Sequence, residues 1–134
     1  MSQENVELVR RFIDAINRGD IDAAITSASK DCEANLANSR GPERGIYRGR
    51  DQTREFLNSF LEAWAYLRWE PEEFIELEDD RVLTVSQLQM RGHGSGAEVS
   101  VKGASIWAIR GSEIAALTIY QSKADAIEAA GLPE

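Results

Sequence analysis

The stretch Arg11-Phe12-Ile13-Asp14-Ala15-Ile16-Asn17-Arg18-Gly19-Asp20-Ile21-Asp22-Ala23-Ala24 reads as one helix ending and a second beginning with no linker between them. Val6, Val9, Phe12, Ile13 and Ile16 recur at helical spacing, so one face of the first helix is apolar. Gly19 suits the left-handed position that closes a helix. Asp20 is placed to cap the next one. Outward from this corner, the first helix is expected from about Ser2 to Arg18. The second is expected from Asp20 to about Ser29, followed by a short strand from Cys32 to Ala37. Asn38 to Gly45, with Gly41 and Pro42 inside it, reads as loop. A third helix is expected from about Asp51 to Leu67, with Phe56, Phe60, Ala63, Trp64 and Leu67 as its apolar stripe.

After Pro71 the period of the apolar residues changes to two. Phe74 to Leu77 and Val82 to Arg91 read as a hairpin about Glu78-Asp79-Asp80-Arg81. Val99 to Arg110 and Ile114 to Gln121 read as two further strands about Gly111-Ser112, and Ala124 to Ala130 as a short helix ending at Gly131. Helices first, then consecutive strands, predict a single α+β domain over residues 1–134, its helices packed on an antiparallel sheet.

Composition narrows the function. A chain of 134 residues with 43% hydrophobic residues can build a real core and is not a disordered segment. A net charge of −8 argues against nucleic acid and against anionic membranes as partners. No apolar run is long enough to cross a membrane, and Met1-Ser2-Gln3-Glu4-Asn5 lacks the pattern of a secretory signal, so a cytoplasmic location is expected. Cys32 and His93 are the only residues of their kinds. They offer no disulfide and no His/Cys zinc site, so no metal and no cofactor is expected. Arg91-Gly92-His93-Gly94-Ser95-Gly96 is glycine-rich, but no helix follows it, so it reads as a turn and not a phosphate loop.

Four motifs occur in a telling order: Asn17 to Asp22, Gly45-Ile46-Tyr47-Arg48-Gly49-Arg50-Asp51, Arg91 to Glu98 with its Ser95-Gly96 pair, and Ala126 to Leu132. Together they resemble the SnoaL-like, polyketide cyclase-like branch of the nuclear transport factor 2-like superfamily, which is related to ketosteroid isomerase. The resemblance implies a cone-shaped, cystatin-like fold: helices closing over a strongly curved antiparallel sheet, with a cavity at the open end. It also implies a homodimer formed through the outer sheet face. Family activities include aldol cyclisation, ketosteroid isomerisation, dehydration and epoxide hydrolysis, while other members only bind ligands or partners.

A ketosteroid isomerase needs a base to move the proton and donors to stabilise the enolate oxygen. By that resemblance the base falls near Leu36, or on Asn35 with a one-residue slip. The tyrosine falls on Phe12 and the donor Asp on about Ser105, so all three groups are missing. The Asp that often ends the last strand of SnoaL-like cyclases falls on about Ser122.

Alternation puts Leu83, Val85, Gln87, Gln89 and Arg91 on one face, and the isomerase comparison turns that face inward. Gly103, Ser105, Trp107 and Ile109 take the inward phase of the next strand, as do Leu117, Ile119 and Gln121 in the last. Thr118 and Tyr120 then face outward, suited to a dimer contact. The expected pocket has walls from Phe12, Phe56, Phe60, Trp64 and Trp107. Its polar groups are Asn35, Gln87, Gln89, Ser105 and Gln121, with Tyr47 at the mouth and Glu33 as the remaining acid/base candidate. Buried amides need partners; a ligand, water or one another would serve. Three readings stay open: a cofactor-independent isomerase or cyclase acting on a carbonyl or polycyclic compound, a non-catalytic domain that binds a small hydrophobic molecule, and a dimerisation module whose cavity Trp64 and Trp107 fill.

Overall fold

The computed structural model describes residues 2–38 and 45–132. Ser39 to Arg44, the centre of the expected loop, lie outside the described residues. Helix α1 (Ser2–Asn17) buries Val9, Phe12, Ile13 and Ile16 of the expected stripe, with Val6 only partly buried and Leu8 added to the core. Gly19, at φ 74°, ends the helix, and the Asp20 side chain accepts from Ala23 N at 3.1 Å to cap α2 (Ile21–Thr26). The corner therefore folds as its residues dictate.

Strand β1 (Ala28–Asn35) starts earlier than expected and takes over the residues assigned to the end of α2. Ala28 pairs with Ile114 near the end of the chain, and that long-range pairing overrides a weak local preference. Strand β2 (Ile46–Arg48) leads into α3 (Gly49–Glu62), where the Gln52 side chain reaches back to accept from Arg48 N at 2.8 Å. The expected third helix is too long. Trp64 to Leu67 belong instead to β3 (Trp64–Leu77). Trp and Tyr favour strands, and the apolar spacing of residues 60 to 67 fits either period. Pro71 is tolerated inside β3 because β3 is an edge strand, and the register shifts beside it.

Strands β4 (Arg81–Gly92), β5 (Glu98–Arg110) and β6 (Glu113–Tyr120) complete a six-stranded curved sheet in the order β2-β1-β6-β5-β4-β3. Asp79 and Asp80 (φ 60° and 54°), then Gly111 and Ser112 (58° and 65°), supply the paired positive φ values of tight hairpin turns. The sheet is not wholly antiparallel: β1 runs parallel to β6. Both are reached by long connections, which a parallel pair requires.

The sheet is covered on both faces. Helix α1 and Ala24 and Ile25 of α2 enclose Val82, Trp107, Ile109 and Ile114 on the inner face, with Leu57 of α3 in the same core. Helix α4 (Lys123–Ala130), capped by Ser122 and ended by Gly131, packs Ala126 and Ile127 over Leu83, Val85, Ala104 and Ile106 on the outer face. Among the described residues, no helix is long and apolar enough to cross a membrane.

Candidate ligand-binding site

The register fixes which residues share the inner face. Val82 lies opposite Trp107 and Thr84 opposite Ser105; Ser86, Leu88 and Met90 follow on the same phase, opposite Gly103, Val101 and Val99. On β3 their partners are Pro71, Trp69 and Leu67. The expected phase of β4 is therefore reversed. Leu83 and Val85 pack beneath α4, and Gln87, Gln89 and Arg91 continue along that outer phase. Gln87 Nε2 donates to Ser100 Oγ at 2.6 Å and Gln89 is exposed, so neither amide enters the cone. The reason is physical: Val82 to Ser86 are buried without a break because helices cover both sides, so alternation alone cannot tell inside from outside.

The phases expected for the last two strands agree with the structure as far as Ile119, but Gln121 lies beyond the end of β6 and not on its inner face. Trp107 is fully buried and its Nε1 donates to Thr84 Oγ1 at 3.0 Å; Ser105 lies beside it, opposite Ile119. Phe12 meets Trp107 edge-to-face at 5.3 Å and Trp69 at 6.5 Å, while Trp69 stacks on Trp107 at 5.7 Å. This cluster is a packed floor and not an open wall. Gln121 is exposed and donates to Asn38 O at 2.9 Å. Thr118 and Tyr120 take the outer phase as expected, but Tyr120 packs in the core beneath α4.

A second aromatic group links β2 to α3. Tyr47 stacks on Phe56 at 4.6 Å, and Phe56 on Phe60 at 5.8 Å. All three are half-buried, as is Trp64, which pairs with Gly92 on the phase of Leu88 and Met90. Glu33 and Asn35 do not join them. Ala34, between them, pairs with Leu117 of the inner core, so its neighbours point outward. Glu33 instead forms an ion pair with Arg48 at 3.3 Å, and Asn35 accepts from Ala37 N.

The other reactive residues also have structural places. Cys32 is buried with Sγ 3.7 Å from Thr53 Oγ1, the place of a small packed hydrophobe. His93, at the exposed β4–β5 turn, has Nε2 2.9 Å from Glu62 O at the end of α3. Among the described residues, no cluster of His, Cys, Asp and Glu is arranged to hold a metal ion. A half-open groove of about 700 Å³ beside α1 is lined by Glu4, Glu7, Arg11 and Ser112, among others. It sits at the β5–β6 turn, at the far end of the sheet from Trp64, and its charges do not suit an apolar ligand.

Ser86, with Leu88 and Met90 on the same phase, lies outside the set of site residues expected from sequence. Ser86 is 6% exposed, and its hydroxyl is the buried side-chain polar atom without a hydrogen-bond partner among the described residues. A Thr and a Ser two apart inside a hydrophobic strand were the available signal, hidden by the reversed phase.

Residues 9–117 match the SnoaL-like domain family, and the chain belongs to it. No curated protein matches the sequence. Solved structures with the same fold include TerC co-crystallised with polyporic acid, at 19% identity and a TM-score of 0.77, covering 93% of this chain and 96% of TerC. SalBIII, an epoxide hydrolase/cyclase-like enzyme of pyran ring formation in the polyether salinomycin, is 18% identical with a TM-score of 0.77, covering 92% and 94%. A nuclear transport factor 2-like protein of unknown function from Burkholderia pseudomallei K96243 is 19% identical with a TM-score of 0.77, covering 95% and 97%. At these identities the likeness establishes the fold alone.

Proposed function

We propose that this SnoaL-like domain binds a small, neutral, hydrophobic molecule between the inner sheet face and the aromatic group on α3. One observation carries the reading. From Thr84 to Met90, the inner-phase residues of β4 and their partners on β3 and β5 include no charged side chain, while Tyr47, Phe56, Phe60 and Trp64 remain only half-buried. An ion would lose its hydration there without a counter-charge, whereas an apolar molecule would gain from burial.

The test is thermal unfolding against a panel of neutral steroids, aromatic ketones and terpenoids. A ligand at a hundred times its dissociation constant adds about 2.7 kcal/mol, which for a domain of this size moves the midpoint by several degrees. A shift abolished by Phe60→Ala supports the site. A panel without any shift would sink the reading.

A second reading, cofactor-independent cyclase or isomerase chemistry, draws support from the fold shared with SalBIII. Turnover of a bound panel member, followed by mass spectrometry, tests it. The outer face suits a homodimer in which the arm carrying Gln87, Gln89 and Arg91 meets its copy. Tyr66 is exposed there with the Arg91 guanidinium 5.4 Å from its ring centre. Loss of a dimer in Arg91→Glu, read by light scattering, tests that arrangement.

A further inference from the structure

We infer that Ser86 is the polar contact of the bound molecule, and that this molecule is therefore a neutral apolar compound presenting one carbonyl or hydroxyl oxygen. The inference rests on the binding reading above and adds to it a position and a chemical class.

The sheet around Ser86 leaves its hydroxyl no internal use. Thr84, two residues before it, is occupied by the indole N–H of Trp107. Leu88, two residues after it, is apolar. Across β5 stands Gly103, which has no side chain to bond with or to cover Ser86. Its lack of a Cβ also lets β6 approach, since a Cβ there would meet Tyr120 O at 3.2 Å. Across β3 stands Pro71, which has no N–H. Ser86 is nonetheless 6% exposed, and an unsatisfied hydroxyl in such a place is costly. Alanine would fill the same space without that cost.

The hydroxyl both donates and accepts, so it can meet a ketone or an alcohol equally well. It carries no charge, and neither do the side chains facing it across the strands, which excludes a carboxylate or ammonium ligand by desolvation. The expected ligand is thus mostly hydrocarbon with one oxygen reaching β4.

Two matched probe pairs test this: 9-fluorenone against fluorene, and 2-naphthol against naphthalene, with dissociation constants from equilibrium dialysis. The wild type should bind the oxygenated member of a pair about tenfold more tightly. Ser86→Ala should bind both members alike, with hydrocarbon affinity unchanged. Its ligand-free unfolding midpoint should equal or exceed that of the wild type, because the variant removes an unsatisfied group. Three results would overturn the assignment. Equal binding of both members by the wild type, or a preference kept by Ser86→Ala, would mean that Ser86 meets only water, while leaving the binding site intact. Failure of the wild type to bind any of the four probes would remove the binding reading and this inference with it.

Discussion

Asn17 and Trp69 exchange two hydrogen bonds: Asn17 Nδ2 donates to Trp69 O at 2.9 Å, and Trp69 N donates to Asn17 Oδ1 at 2.7 Å. Trp69 lies on the edge strand, so its backbone groups on that side have no neighbouring strand. The side-chain amide at the end of α1 stands in for one. It ties the helical corner to the sheet and blocks an edge otherwise free to pair with another chain.

Asn17→Ala should cost about 1–3 kcal/mol in urea denaturation, because it strips partners from two backbone groups. Asn17→Asp should be at least as damaging, since it replaces the donor facing the Trp69 carbonyl with a carboxylate oxygen. A loss below about 0.5 kcal/mol for Asn17→Ala would mean that the contact adds nothing beyond an ordinary surface position.

Thr84→Val keeps the shape of the inner strand but orphans the buried Trp107 indole. The expected loss is about 1–3 kcal/mol. Thr84→Ser retains the hydroxyl and should recover part of it. Equal stability of the Val and Ser variants would remove the bond from the account.

The two aromatic groups should respond differently. Phe12→Ala empties the packed floor and should cost about 3–5 kcal/mol. Phe60→Ala lies outside the buried core, so it should cost about 1 kcal/mol and act chiefly on ligand affinity. A large stability loss in Phe60→Ala would place it among the floor residues instead.

Glu33→Gln and Gln89→Leu change outward-facing residues. Each should leave stability within about 0.5 kcal/mol and leave probe affinities unaltered. A variant that abolished binding would contradict the register described for its strand.

Asp31 offers a test by pH. Ser29 Oγ donates to its carboxylate at 3.0 Å and Arg110 Nη2 approaches both oxygens, at 3.1 and 3.2 Å. The Ser29 bond, a backbone N–H and the guanidinium hold the Asp31 carboxyl below its usual pKa. A carboxyl lowered by folding stabilises the native state above its unfolded pKa, and that stability is lost as pH falls through the folded value. The wild type should therefore exceed Asp31→Asn by a constant amount above about pH 5. The gap should close on acidification. A gap that widened towards acid pH would reverse the sign.

Local chemistry made the helical corner legible: Gly19, Asp20 and the stripe from Val9 to Ile16 each act within a few residues. The tight turns at Asp79-Asp80 and Gly111-Ser112 were legible for the same reason. Trp64 to Leu67 were not, because their spacing fits a helix and a strand, and only pairing with β4 decides between them. The site suffered more than the fold. Burial on both sides of Val82 to Ser86 erased the alternation, so the amides at 87 and 89 were turned inward and Ser86 outward. The aromatic residues on α3 needed no such phase: helical spacing alone places Phe56 and Phe60 on one face, where they stack.

The parallel pairing of β1 with β6 also sets an order of events. Ala34 lies opposite Leu117, so the earliest strand in the chain has no sheet to join until the latest one exists. β2 joins the sheet only through β1. The β3–β4–β5 meander closes through tight turns, with little loop entropy to overcome. Assembly should then run from the middle of the chain outward, with a rate set by topology and not by helix formation. β1 and β2 would be the last strands of the sheet to dock and the first to let go.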